Sequence, residues 1–383
     1  AEKSLPHTPW SSMGASAGDV NGDGLVDLLA ADMAFRTHFK DKVFMGDMTT
    51  KFETIAYFPG DQRMQNALFL NTGAAHFQES AAACGLAKTN WTWTAKLADL
   101  DLDGRLDAFF TNGTPVSLST PDAPPLTNIR GIDTAHTRRV YADRPPVLEQ
   151  NLAFRNAGNL RFVDESAAWG VDLVGMSYAA AHVDLDRDGD LDLVVANLDE
   201  NVSIYRNDSS SNHVVTVRLR GTASNAQGVG AEVTVVTAAG RQVQQCFPVS
   251  GFLACQEATL HFGLGDGRRI EQLTISWPSG AQQQFNDLDV DQAYEITEPD
   301  APAEVTSQCR VRRSPLWKKI DDFAVIEHHE QPYDDFARQP LLPNKLSQFG
   351  PPLVAGDVDG DGDLDLFVGE GAGWMGMIYV NDG

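Results

Sequence analysis

Four stretches of the 383-residue chain set carboxylates at alternate positions around a glycine: Asp19-Val-Asn21-Gly-Asp23-Gly24-Leu25-Val-Asp27, Asp99-Leu-Asp101-Leu-Asp103-Gly104-Arg105-Leu-Asp107, Asp184-Leu-Asp186-Arg-Asp188-Gly189-Asp190-Leu-Asp192 and Asp357-Val-Asp359-Gly-Asp361-Gly362-Asp363-Leu-Asp365. Side-chain oxygens at positions 1, 3, 5 and 9, with the backbone carbonyl of position 7, can wrap one hard cation, and an all-oxygen set of this size suits Ca2+. The position-7 carbonyls belong to Leu25, Arg105, Asp190 and Asp363. Glycine at position 6 allows a turn that a Cβ would obstruct. Up to four calcium sites are therefore expected, the first being the least anionic because Asn21 replaces a carboxylate. Like charges crowded this closely repel unless a cation neutralises them. An EF-hand would need a glutamate at position 12, where the chain has Ala30, Phe110, Val195 and Val368.

The elements holding these loops follow from their flanks. An apolar run succeeds each one, Leu28-Leu29-Ala30, Ala108-Phe109-Phe110, Leu193-Val194-Val195 and Leu366-Phe367-Val368, as expected of strands buried on both faces. Compact residues precede three of them, at 14–18, 179–183 and 353–356, and suit strands crowded near an axis. The unit is strand, metal loop, strand. Further on, each copy has a strand running into a turn at Asn71, Asn156, Asn207 or Asn381. From position 9 to that asparagine the separations are 44, 49, 15 and 16 residues, so the first two copies carry insertions, within about 32–66 and 112–150. Removing them leaves a period of about 50 residues, the size of a four-stranded propeller blade.

The four loops and four asparagine turns resemble the FG-GAP/VCBS repeats of integrin-like β-propellers, over about 1–211 and 345–383. The resemblance implies a β-propeller with calcium between blade strands. Residues 212–298 have a different pattern, short alternating strands and glycine turns, and about seven strands fit. Their landmarks are Asn212-His-Val-Val-Thr-Val-Arg-Leu-Arg-Gly221, Gly228-Val-Gly230-Ala-Glu-Val-Thr-Val, Ser250-Gly-Phe-Leu253, His261-Phe-Gly263-Leu-Gly265 and Trp277-Pro-Ser-Gly280. They resemble the ASPIC/UnbV domain of the cartilage acidic protein family and its bacterial relatives. The expected fold is all-β: a partial propeller of FG-GAP/VCBS blades (1–211), a compact antiparallel ASPIC/UnbV-like domain (212–298), a Pro- and charge-rich connector (299–345) and the start of a further blade (346–383). Two arrangements fit that last segment: the opening of a second propeller in a longer protein, or a blade beside the first three with the ASPIC-like domain inserted.

Composition agrees with a globular fold, at 42% hydrophobic and 9% aromatic residues. The net charge of −24 includes fifteen aspartates at loop positions 1, 3, 5 and 9, so much of the acid is ligand. Such a balance disfavours nucleic acid. With no apolar run of membrane-spanning length, no membrane span is expected. The chain begins at Ala1, consistent with a processed or excised segment, and a secreted, cell-surface or periplasmic location is expected. Of Cys84, Cys246, Cys255 and Cys309, the pair Cys246 and Cys255 flanks Pro248-Val-Ser-Gly251, leaving either a disulfide or two independent thiols.

No catalytic residue is assigned, since HExxH, GxSxG and a Walker A loop are all missing from the sequence. Gly263-Leu-Gly265-Asp-Gly267 is read as a turn. His328-His329-Glu330 with Asp334-Asp335 is read as surface, because adjacent histidines on an extended segment face opposite ways. Trp91 and Trp93 are expected to pack between blades rather than stack on a sugar, since Trp10 and Tyr178 occupy the same place in the repeat. The insertions are the candidates for partner contact, through Arg36, His38, Phe39, Lys40 and Lys42 in the first and His136, Arg138, Arg139 and Tyr141 in the second, the alternative being loops that only pack over the propeller face. The expected function is binding or adhesion to an extracellular protein or glycan, with structural calcium. The alternative is a secreted polysaccharide-active lyase or hydrolase using a cleft on the propeller face.

Overall fold

The computed structural model describes residues 4–45, 62–74, 76–115, 145–209, 211–300, 334–338, 353–356, 358–361, 365–369 and 375–380. The chain divides into two compact units, 1–306 and 307–383. Among the described residues helix is confined to His38–Met45, Ala81–Cys84 and Asp335–Arg338.

In the first unit each loop joins the first two strands of an antiparallel meander. The first blade runs Ala15–Gly18, Asp27–Ala30, Ala67–Asn71 and Phe77–Glu79. The second runs Asn90–Ala98, Asp107–Asn112, Leu152–Asn156 and Phe162–Asp164, with Met33–Ala34 added beside its first strand. The third has Ser177–Val183, Asp192–Asn197 and Ser203–Tyr205, after which the chain enters the next domain instead of adding a fourth strand. Side-chain alternation explains the continuous apolar runs. Phe110 joins Leu29, Leu68 and Leu152 between the first two blades, while its neighbour Phe109 joins Leu193 and Val195 between the second and third. Compact residues on the first strands permit close approach: a Cβ on Gly18 would come 2.4 Å from Leu106.

Both tryptophans pack, as expected. Trp91 is buried with Met33 and Phe35, and Trp93 lies 4.4 Å from Tyr178 and 5.1 Å from Phe252 between ring centroids. The described part of the first insertion is tied to the second blade, Arg36 pairing with Asp164 (2.9 Å) and Lys40 with the buried Glu149 (2.8 Å). His38 and Phe39 open its helix, whereas the side chain of Lys42 and the residues His136, Arg138, Arg139 and Tyr141 lie outside the described residues.

Seven strands follow, His213–Arg220, Glu232–Thr237, Gly240–Gln245, Thr259–Gly265, Arg269–Ser276, Gln282–Asp289 and Gln292–Thr297. They form a three-stranded and a four-stranded sheet closed over Val217, Val233, Phe262, Ile275 and Trp277. Pairing is antiparallel except where His213–Arg220 runs parallel to Gln292–Thr297, which brings the first and last strands of the domain side by side. The buried Glu298 carboxylate seals that end, accepting the N–H groups of Thr222 (2.8 Å), Ala223 (2.9 Å) and Ser224 (2.7 Å). Cys246 and Cys255 are separate free thiols. Cys246 points inward, its Sγ 3.5 Å from Gln227 O, while Cys255 is exposed and bridged to Val249 instead.

Among its described residues the second unit has one antiparallel sheet, Leu353–Gly356, Asp365–Val368 and Met377–Tyr379. It repeats the strand, loop, strand plan. The cluster His328–Glu330 lies outside the described residues, as do Cys309 and Asn381, while Asp335 opens the short helix.

Candidate metal centre

The three loops of the first unit share one backbone scheme. Position 1 accepts the N–H of the position-6 glycine: Gly24 to Asp19 (2.8 Å), Gly104 to Asp99 (2.9 Å) and Gly189 to Asp184 (3.1 Å). Those glycines have φ of +85°, +89° and +101°, a region that side chains disfavour. Position 9 is a clip. One oxygen of Asp27, Asp107 and Asp192 accepts the position-2 N–H, and the other accepts the N–H of Asn71, Asn156 or Asn207, each of these last bonds being 2.8 Å.

In two loops the carboxylates converge. Asp99, Asp101 and Asp107 offer one oxygen each within 4.8 Å of one another, and so do Asp184, Asp186 and Asp192. The position-5 residues Asp103 and Asp188 stand outside these groups. Asp103 is paired with Arg105, and Asp188 Oδ1 accepts the Asp190 N–H (3.2 Å). In the first loop Asn21 and Asp23 bond each other (3.0 Å). In the fourth, Asp365 is buried and clips Val358 N (2.7 Å), Asp359 and Asp361 are exposed, and Asp357 and Asp363 lie outside the described residues. Leu25, Arg105 and Asp190 hold position 7, where a ligand would be the carbonyl.

Burial pushes Asp27 up to about 6 and Asp99 and Asp107 up to about 8, despite the N–H groups they accept. Buried carboxylates without a counter-charge favour either a proton or a cation. Asp190 adds an Oδ1 that is buried and has no hydrogen-bond partner. The donors are all oxygen, clustered and anionic, and they fit a hard divalent ion.

The asparagine turns have a mechanical role that their recurrence alone did not disclose. Asn156 Nδ2 donates to Leu106 O in its own loop (3.2 Å) and to Val20 O in the preceding blade's loop (3.0 Å). Asn207 Nδ2 likewise reaches Leu191 O (3.2 Å) and Leu100 O (2.8 Å). These two turns therefore each stitch two loops together, and the three loops form one continuous face.

The seven-stranded domain sits on that face. Gly265 N donates to Leu102 O (2.9 Å), Asn212 Nδ2 to Asp101 O (2.7 Å), and His261 Nδ1 faces Gly189 O (3.1 Å). Its segment 247–256 reaches the blade first strands. There Gly251 N donates to Ala15 O (2.6 Å), and the fully buried Lys96 donates to Ser250 O (2.9 Å), Ser250 Oγ (2.8 Å) and Gln256 Oε1 (2.8 Å). Burial lowers Lys96 to about 8. A cavity of about 90 Å3 adjoins this contact, bordered by His182 and Glu257, and a cleft of about 1250 Å3 opens over the third loop. No helix among the described residues is long and apolar enough to cross a membrane.

Fold and loops together define a nearly all-β protein in which β-propeller blades, two with clustered acidic loops, carry a second β domain on their loop face. That second domain is an ASPIC/UnbV domain: residues 221–303 match the ASPIC and UnbV family. No curated protein matches the chain.

Proposed function

We propose that this chain is an extracytoplasmic, calcium-binding β-propeller module of the FG-GAP/VCBS type that binds a protein or glycan, with calcium in a structural role. The convergence of Asp99, Asp101 and Asp107, of which Asp99 and Asp107 are buried and Asp101 half-buried, supports the reading most directly. The ion would join a loop to its own blade, since the same carboxylates already clip the loop backbone. Partner recognition is assigned to the surface above the blades, where the cleft over the third loop is lined by Arg187, Arg218 and Tyr294 among acidic residues such as Asp188, Asp291 and Glu295.

The polysaccharide-active alternative needs an acid and a base free to face a substrate. Two of the groups lining the cleft are engaged elsewhere: Glu257 accepts Asp184 N (3.1 Å), and His261 lies between Glu257 and Gly189 O. Docking of the domain accounts for both. The test is titration calorimetry with calcium followed by melting with and without chelator, then a glycan and protein binding screen. At ~2 mM free Ca2+ and a Kd of ~0.1 mM each site stabilises by roughly 1.8 kcal/mol. A melting temperature indifferent to chelation would refute structural calcium.

A further inference from the structure

The ASPIC/UnbV domain grips the second and third loops by their backbone. Leu102 O, Asp101 O and Gly189 O accept bonds from Gly265, Asn212 and His261, and the Asp184 N–H donates to Glu257. The approach is closest at Gly263, where a Cβ would stand 2.2 Å from Asp99 Oδ2 and 2.5 Å from Leu102 Cα. So near a contact is possible only while Asp99 and Leu102 keep their loop geometry.

That geometry is not the one these loops would choose alone. At position 4 the first and fourth loops have Gly22 and Gly360, with φ of +76° and +81°. The second and third have Leu102 and Arg187 in the same left-handed region, at +58° and +66°. A non-glycine residue there is strained and persists only where its surroundings hold it. Repulsion among the aspartates of each loop acts in the same opening direction. The two strained loops are those that the domain holds by hydrogen bonds. The first loop meets the domain at Gly24, beside the flexible side chain of Arg241 (3.0 Å from a Cβ placed there).

We propose that the second and third loops are a cation-dependent latch for the ASPIC/UnbV domain: cation binding and domain docking hold the same loop backbone, so each strengthens the other. The latch rests on the calcium reading above and adds a coupling between two sites. His261-Phe-Gly263-Leu-Gly265 is then a docking strand. Gly263 allows the approach, Gly265 supplies an N–H, and His261 reaches the neighbouring loop.

The test uses the full chain. Hydrogen exchange is followed by mass spectrometry in millimolar calcium and in excess chelator. Exchange in Thr259–Gly265 should rise about tenfold on chelation, while Glu232–Thr237 in the other sheet of the same domain stays protected. Reciprocally, Gly263→Ala should weaken calcium binding to two sites by about tenfold in calorimetry. Should that variant fold poorly, His261→Ala, which removes the contact to Gly189 O, should weaken binding at one site. Equal protection with and without calcium, or wild-type affinity in a folded variant, overturns the latch and leaves structural calcium standing. Absence of calcium uptake by the wild-type chain overturns both.

Discussion

Asn156→Ala is the sharpest single perturbation of the blade stack. The side chain is buried at 1% exposure, and its Nδ2 serves both Val20 O and Leu106 O while its Oδ1 accepts Gly158 N (3.1 Å). Truncation leaves two carbonyls of adjacent loops without their donor. A buried polar group stripped of its partner costs about 1–3 kcal/mol, so the variant should lose roughly 3 kcal/mol. Asn71 is the internal control, because it opens the corresponding turn of the first blade but is partly exposed and donates only to Val26 O (3.2 Å). Water replaces that single bond, and Asn71→Ala should lose about 1 kcal/mol or less. At about 2 °C per kcal/mol for a domain of this size, calorimetry should show a drop of about 6 °C against about 2 °C. Asn156→Asp sets an oxygen against both carbonyls and should be at least as harmful as alanine. Equal losses at the two asparagines, or a wild-type-like aspartate variant, would refute the stitching of loops across blades.

Two other outcomes follow from groups remote from the loops. Burial alone would raise the Glu298 carboxyl, but hydrogen bonds from Ser279 and from the Thr222–Ser224 backbone outweigh it and hold the group at about 2 against an ordinary 4.5. A depressed value contributes stability above pH 4.5 that is lost as pH falls toward 2, so the urea midpoint should drop across that window in the wild type and less in Glu298→Gln. Parallel curves would show that this carboxylate does not anchor the domain's end. Lys96→Met removes three hydrogen bonds to the segment 247–256, and losing about 1.4 kcal/mol there means about a tenfold rise in exchange at Gly251 N–H. Unchanged protection would show that Ser250 and Gln256 are held without the ammonium.

The blades were legible because their signals are local. Aspartate spacing and position-6 glycines demand a turn, and the apolar runs after them demand strands buried on both faces. The inward alternation of Val233, Val235, Leu273 and Ile275 gave the second domain its sheets in the same way. Less legible was anything that depends on two distant segments. The two cysteines flank a plausible hairpin, yet Cys246 turns into the core, and Cys255 pairs only its backbone, with Val249. The glycines of Gly263-Leu-Gly265-Asp-Gly267 suggest a turn, but Gly263-Leu-Gly265 ends the strand Thr259–Gly265, and its glycine content answers to the second loop pressed against it. Only Asp266-Gly267 leaves the strand. Lys96 had no signal at all, being one lysine in an otherwise ordinary strand.

By itself the sequence determined the repeating unit, the acidic turns of its loops and the all-β character of both segments. These follow from spacing over nine residues or alternation over five or six, which local backbone geometry translates directly. The tertiary structure alone decided which oxygens converge, that position 9 clips the loop, that Asn156 and Asn207 each join two blades, and that the ASPIC/UnbV domain sits on the loop face. Those outcomes rest on contacts between residues as far apart as Val20 and Asn156 or Lys96 and Ser250. Such pairs leave no periodic trace in the chain, because what selects them is the burial of polar groups that must find partners once the blades have packed.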